Sequence, residues 1–81
     1  MADPTATHYE LARALIRYEA GDLDQALDMV RDATRLVSDD PRLTFRVQAL
    51  EAALRRQASS ADAAPLVARA YQDVVAELRT A

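Results

Sequence analysis

The sequence predicts an all-α domain of four helices, arranged as two stacked antiparallel helical hairpins. Three observations lead there. The apolar residues recur three and four positions apart, and no stretch alternates with the period of two that a half-buried strand requires. The single glycine of the chain, Gly21, stands between two stretches that each read as helix. Two further breaks, around Ser38–Pro41 and around Arg55–Asp62, consist of turn and cap residues. The 81 residues allow one small domain. They read as a flexible N-terminal segment over residues 1–6 and a single domain over 7–81, with hairpin one at about 7–38 and hairpin two at about 41–80.

The first helix carries Leu11, Ala14, Leu15 and Tyr18 on one face. Thr7 and Glu10 have the spacing of a capping box, and Pro4 keeps Asp3 out of the helix. Gly21 ends this helix, because glycine enters the left-handed conformation without a steric cost. Asp22 then caps the second helix with Gln25 three residues on, and Asp24 lies at the positive end of its dipole. The second helix carries Leu23, Ala26, Leu27, Val30, Ala33 and Val37 on one face.

Asp40 and Pro41 open the third helix as cap and first helical residue. Its stripe is Leu43, Val47, Leu50 and Leu54, widened by Phe45, Ala49, Ala52 and Ala53, which predicts the most central position in the fold. Arg55 and Arg56 suit its C-terminal turn, where positive charge is favourable. Asp62 reads as the N-cap of the fourth helix, with Pro65 in the first turn and Leu66, Val67, Ala70, Tyr71, Val74 and Leu78 along the buried side.

Composition excludes several classes of function. There is no cysteine, hence no disulfide and no thiolate metal site, and one histidine does not make a zinc site. No cofactor is expected. The net charge of −3 disfavours nucleic acid as a partner. No apolar run approaches the roughly 20 residues of a membrane span, and the opening MADPTATHYE lacks a basic and then apolar signal region. A soluble, cytoplasmic protein is expected. All ten basic residues are arginine, a usage typical of a high-GC bacterial gene. With no staple available, stability must come from helix packing and from association.

The halves echo each other. Val47, Leu50, Glu51 and Leu54 repeat Leu11, Ala14, Leu15 and Tyr18 at a shift of 36, and Ala63, Val67 and Ala70 repeat Ala26, Val30 and Ala33 at 37. The stretch GDLDQALDMVRDATRLVSDDP resembles the second half of a tetratricopeptide repeat (TPR). Gly21, Asp22, Ala26, Leu27, Val30, Ala33 and Leu36 fall on that motif, and Pro41 follows about three residues late. The resemblance implies that the first and third helices line a concave groove that binds a peptide or helix of another protein. The asparagines of the family's carboxylate clamp are missing, so capture of a C-terminal carboxylate is not expected.

No enzymatic constellation is present. His8 has neither a nucleophile nor a second ligand beside it in the sequence. Asp22, Asp24 and Asp28 lack the glycine and closing glutamate of a calcium loop. A single glycine cannot form a phosphate cradle. The expected function is therefore a protein–protein interaction module, an adaptor or small chaperone-like domain, with a self-associating homodimer as the alternative. On the implied groove the partner-binding residues are Tyr9, Arg13, Ile16 and Arg17 of the first helix and Phe45 and Arg46 of the third. Arginines beside aromatic and aliphatic residues suit an acidic amphipathic segment. Val75 lies about 100° round its helix from Val74, and Ile16 also leaves its main stripe. Both predict surplus apolar surface for another chain, or an identical one, to cover.

Overall fold

The computed structural model describes residues 3–80. It contains α1 (Pro4–Glu19), α2 (Leu23–Leu36), α3 (Pro41–Ser59), a 3-10 turn at Ala61–Ala63, and α4 (Ala64–Thr80), with no strand among the described residues. The molecule is a rod of 34 × 17 × 17 Å.

The corners follow from local chemistry. Gly21 takes φ 86°, and no heavy atom lies within 4 Å of where a side chain would begin, so backbone conformation alone requires glycine there. The Asp22 carboxylate accepts from the Gln25 amide at 3.0 Å. At the second corner the Asp40 carboxylate accepts from the Arg42 and Leu43 amides, and the Thr44 hydroxyl donates to the Val37 carbonyl at 2.7 Å. Both corners agree with the caps read from the sequence.

Two caps differ. The first helix starts at Pro4 rather than at Thr7, and its cap is Asp3, whose carboxylate accepts from the Ala6 amide at 3.0 Å. The Asp3 amide also donates to the Leu36 carbonyl at 3.3 Å, which ties the start of α1 to the end of α2. Residues 3–6 therefore belong to the folded domain, while residues 1, 2 and 81 lie outside the described residues. Thr7 is fully buried inside the helix and its hydroxyl donates to the Asp3 carbonyl at 2.7 Å. At the third corner Asp62 falls inside the 3-10 turn instead of capping α4, and that turn has no side-chain cap. Pro65 stands at the second position of α4, where its missing amide hydrogen costs nothing.

Each helix packs beside its sequence neighbours, and α4 returns to touch α1, which closes the ring. Short connections make the successive neighbours antiparallel. The tightest pairs are α1 with α2 and α3 with α4, the two hairpins; the sparsest is α1 with α4. The Cα atoms of α1 and α3 never approach within 8 Å, so these helices stand on a diagonal. The core draws on all four helices, among them Leu11, Val30, Val37, Leu43, Val47, Leu50 and Val74. Five residues of α3 are buried, more than in any other helix, as expected of the most central one. Phe45, Ala49 and Ala52 do not widen its buried stripe: they face outward.

The internal echo extends to burial. Ala26 and Ala63 are both buried, as are Val30 and Val67. Glu51, half-buried like its equivalent Leu15, breaks the echo in polarity and is paired with Arg55 of its own helix at 2.5 Å and with Arg31 of α2 at 3.7 Å.

Candidate functional site

The diagonal placement of α1 and α3 separates the residues that the resemblance would gather into one groove. Tyr9, Arg13 and Ile16 form a stripe along α1 at spacings of four and three. Tyr9 is 64% exposed and Ile16 65%. Arg13 sits 5.9 Å from the Tyr9 ring centroid and pairs with Glu10 at 3.0 Å. Tyr9 and Arg13 border a shallow hollow against α2, closed on the far side by Asp32, Arg35 and Leu36. Arg35 is paired in turn with Asp32. Arg17 is exposed in the last turn of α1, where its charge meets the negative end of the helix dipole.

Phe45 and Arg46 lie elsewhere, on the outer face of the second hairpin. Phe45 is 64% exposed, and the Arg46 guanidinium is 5.8 Å from its ring centroid. Arg46 reaches Asp73 at 3.8 Å and Glu77 at 3.6 Å on α4, and Arg42 reaches Glu77 at 3.3 Å. Val75 is half-buried, so it does not supply the exposed apolar surface expected of it. A single groove walled by α1 and α3 is thus not formed; the expected residues divide between two faces.

The face between α3 and α4 is a groove in its own right. Its floor is Ala49, Ala52, Ala53 and Ala70, small side chains that let the two helices leave a furrow of about 320 Å³. Leu66, 45% exposed, stands on the α4 bank. Arg46, Arg56, Arg69 and Asp73 line the edges. One end of this groove is neutralised by the Arg42, Arg46, Asp73 and Glu77 pairs. Arg56 and Arg69 have no carboxylate within ion-pairing distance among the described residues. Arg56 is favoured by the end of its helix. Arg69 lies well inside α4 and has no such local reason.

Sequence reasoning missed Arg56 as a groove residue, together with Arg69 and Leu66. A signal existed: Phe45, Ala49, Ala52 and Arg56 run at spacings of four, three and four, a second stripe on α3. The other residues singled out in the sequence take structural places. His8 is exposed beside Pro4, Thr5, Leu78 and Arg79. Asp22 caps, Asp24 lies in the first turn of α2, and Asp28 meets Arg31 at 3.6 Å. Among the described residues no cluster of three or more His, Asp or Glu side chains is arranged to hold a metal ion, and no helix is long and apolar enough to cross a membrane.

The fold and the grooves define an all-α four-helix protein. No family model, curated protein or solved structure matches the chain.

Proposed function

We propose that the protein is an interaction module that holds an acidic, amphipathic segment of a partner protein in the α3–α4 groove. The observation that carries this reading is Arg69 with Arg56: two cations without internal carboxylates, flanking an apolar floor, in a chain with three more acidic than basic residues. Carboxylates of a partner would pair with them, and apolar side chains on the same helical face would settle on Leu66 and the alanines. The kinship with tetratricopeptide hairpins is part of the proposal. It rests on the Gly21–Asp22 corner and on the buried Ala26, Val30 and Ala33 of hairpin one. The ring order of the helices differs from a stack in which first helices share a wall.

A direct test uses a synthetic leucine–glutamate amphipathic helix of about 18 residues, five turns. Its binding is measured by fluorescence anisotropy at two salt concentrations. Binding that weakens with salt and is lost in Arg56→Glu/Arg69→Glu supports the assignment. Binding unchanged by that double reversal refutes it.

A second reading, self-association, is favoured by the Tyr9–Ile16 stripe, whose two large side chains are both mostly exposed. Light scattering across protein concentrations separates the two. A dimer dissolved by Ile16→Asp supports self-association; a monomer at every concentration removes it.

A further inference from the structure

Near the Gly21 corner the rod carries a half-open apolar pocket of about 220 Å³; Leu15, Tyr18, Ala68 and Tyr71 form its accessible walls, and the buried Val30, Leu50 and Val67 close its base. It opens along the α1–α4 seam, the sparsest of the helix contacts, where lining residues are exposed or half-buried: Tyr18 and Glu19 on one side, Ala68 and Tyr71 on the other.

The polar atoms around it restrict what can bind there. The Tyr18 hydroxyl donates to Gln57 Oε1 at 2.6 Å, and the Tyr71 hydroxyl points to the Leu11 carbonyl at 3.5 Å. Both rings are thereby held at the mouth, and no buried side-chain polar atom among the described residues lacks a partner. The interior therefore offers an occupant nothing but apolar contact. At the mouth Glu19 is exposed and has no cation within ion-pairing distance among the described residues. Burial pushes the Tyr71 phenol above the ordinary tyrosine value and the Glu19 charge adds to that, which places the carboxylate close enough to act on the opening.

We infer that this pocket is a binding site for a small apolar amine, its hydrocarbon body against Leu15, Tyr18 and Tyr71 over the base formed by Val30 and Leu50, and its ammonium group at Glu19. The size fits: an engineered apolar cavity of about 150 Å³ holds benzene, so the larger volume here takes one ring with a short alkyl arm. The charge fits as well, because a carboxylate of the same shape would meet Glu19 at the entrance. This site is separate from the α3–α4 groove and does not depend on the function proposed for it.

The test is a titration of 2-phenylethylamine and, separately, 3-phenylpropanoate, followed through the methyl resonances of Val30, Leu50 and Leu54 at neutral pH. The amine is expected to shift those methyls and to bind about tenfold tighter than the acid. Glu19→Gln should bring the two ligands close together in affinity. Ala68→Phe, at the exposed mouth where the fold is not at risk, should abolish binding of both while the helical circular dichroism is retained. No methyl shift with the amine would overturn the inference. Equal binding of acid and amine to the unmodified protein, or binding that survives Ala68→Phe, would overturn it too.

Discussion

The two hairpins carry outer faces of the same kind, treated differently by their charges. On the α1–α2 face Arg13 has Glu10 and Arg35 has Asp32, each on its own helix and three residues away, and Arg17, unpaired among the described residues, stands at the end of α1, outside the hollow between the two helices. On the α3–α4 face Arg46 is engaged by Asp73 and Glu77, but Arg56 and Arg69 have no such partner. Exposed arginines paired within one helix contribute little to stability and leave no charge over for another molecule. Unpaired arginines beside an apolar furrow retain their full pairing capacity. The pattern is written twice along the chain, and in the second copy unpaired arginines flank an apolar furrow.

One core holds both hairpins. The largest expected effect is therefore Leu50→Ala, since Leu50 is 2% exposed in a core shared by all four helices. It should cost about 2–5 kcal/mol in urea unfolding, whereas Ala52→Ser on the outer face should change stability by less than about 0.5 kcal/mol.

The charge contrast comes next. Arg69→Glu should weaken capture of an acidic amphipathic helix by at least about tenfold, while Arg13→Glu should leave it within about twofold. Equal losses from both substitutions would erase the distinction between the faces.

A smaller effect sharpens the contrast at the corners. Asp22→Ala removes a cap bond and should cost about 1 kcal/mol, while Asp62→Ala removes none and should cost a few tenths at about most. Thermal melts of the two variants compare them directly.

The smallest effect is alkaline. The Tyr71 phenol is raised in the folded state, first by burial and then by Glu19, so the folded protein holds that proton more firmly than the unfolded chain. Its stabilising contribution is complete below the unfolded tyrosine value of about 10 and is lost as pH rises through the folded value. Urea midpoints measured on either side of that range should fall less in Tyr71→Phe than in the unmodified protein.

Much of this architecture was legible in the residues. Gly21, Asp22, Asp40 and Pro41 place two corners because their chemistry is local: a left-handed backbone, two carboxylate caps, and a proline at the first helical position. Asp3–Pro4 is the same local signal as Asp40–Pro41, with the carboxylate accepting from an amide three residues on; the Thr7–Glu10 spacing competes with it, and the bond from the Asp3 amide to the distant Leu36 carbonyl helps decide for the earlier start. The groove was misassigned for a similar reason. Periodicity shows which face of a helix is apolar, but not which helices meet. Phe45, Arg13 and Tyr9 are exposed and Arg46 is half-buried, yet α1 and α3 stand on a diagonal and cannot wall one groove. Arg69 stayed hidden because its significance lies in the carboxylate it lacks, which only the packed structure reveals.

The most direct test of the difference between the two faces is an amide-resolved NMR titration of the labelled protein with the leucine–glutamate helix. Shifts are expected to concentrate on residues 45–56 and 66–73, along both banks of the α3–α4 groove. Shifts concentrated instead on the Tyr9–Arg13–Ile16 stripe of α1, or no shifts at all, would contradict this expectation.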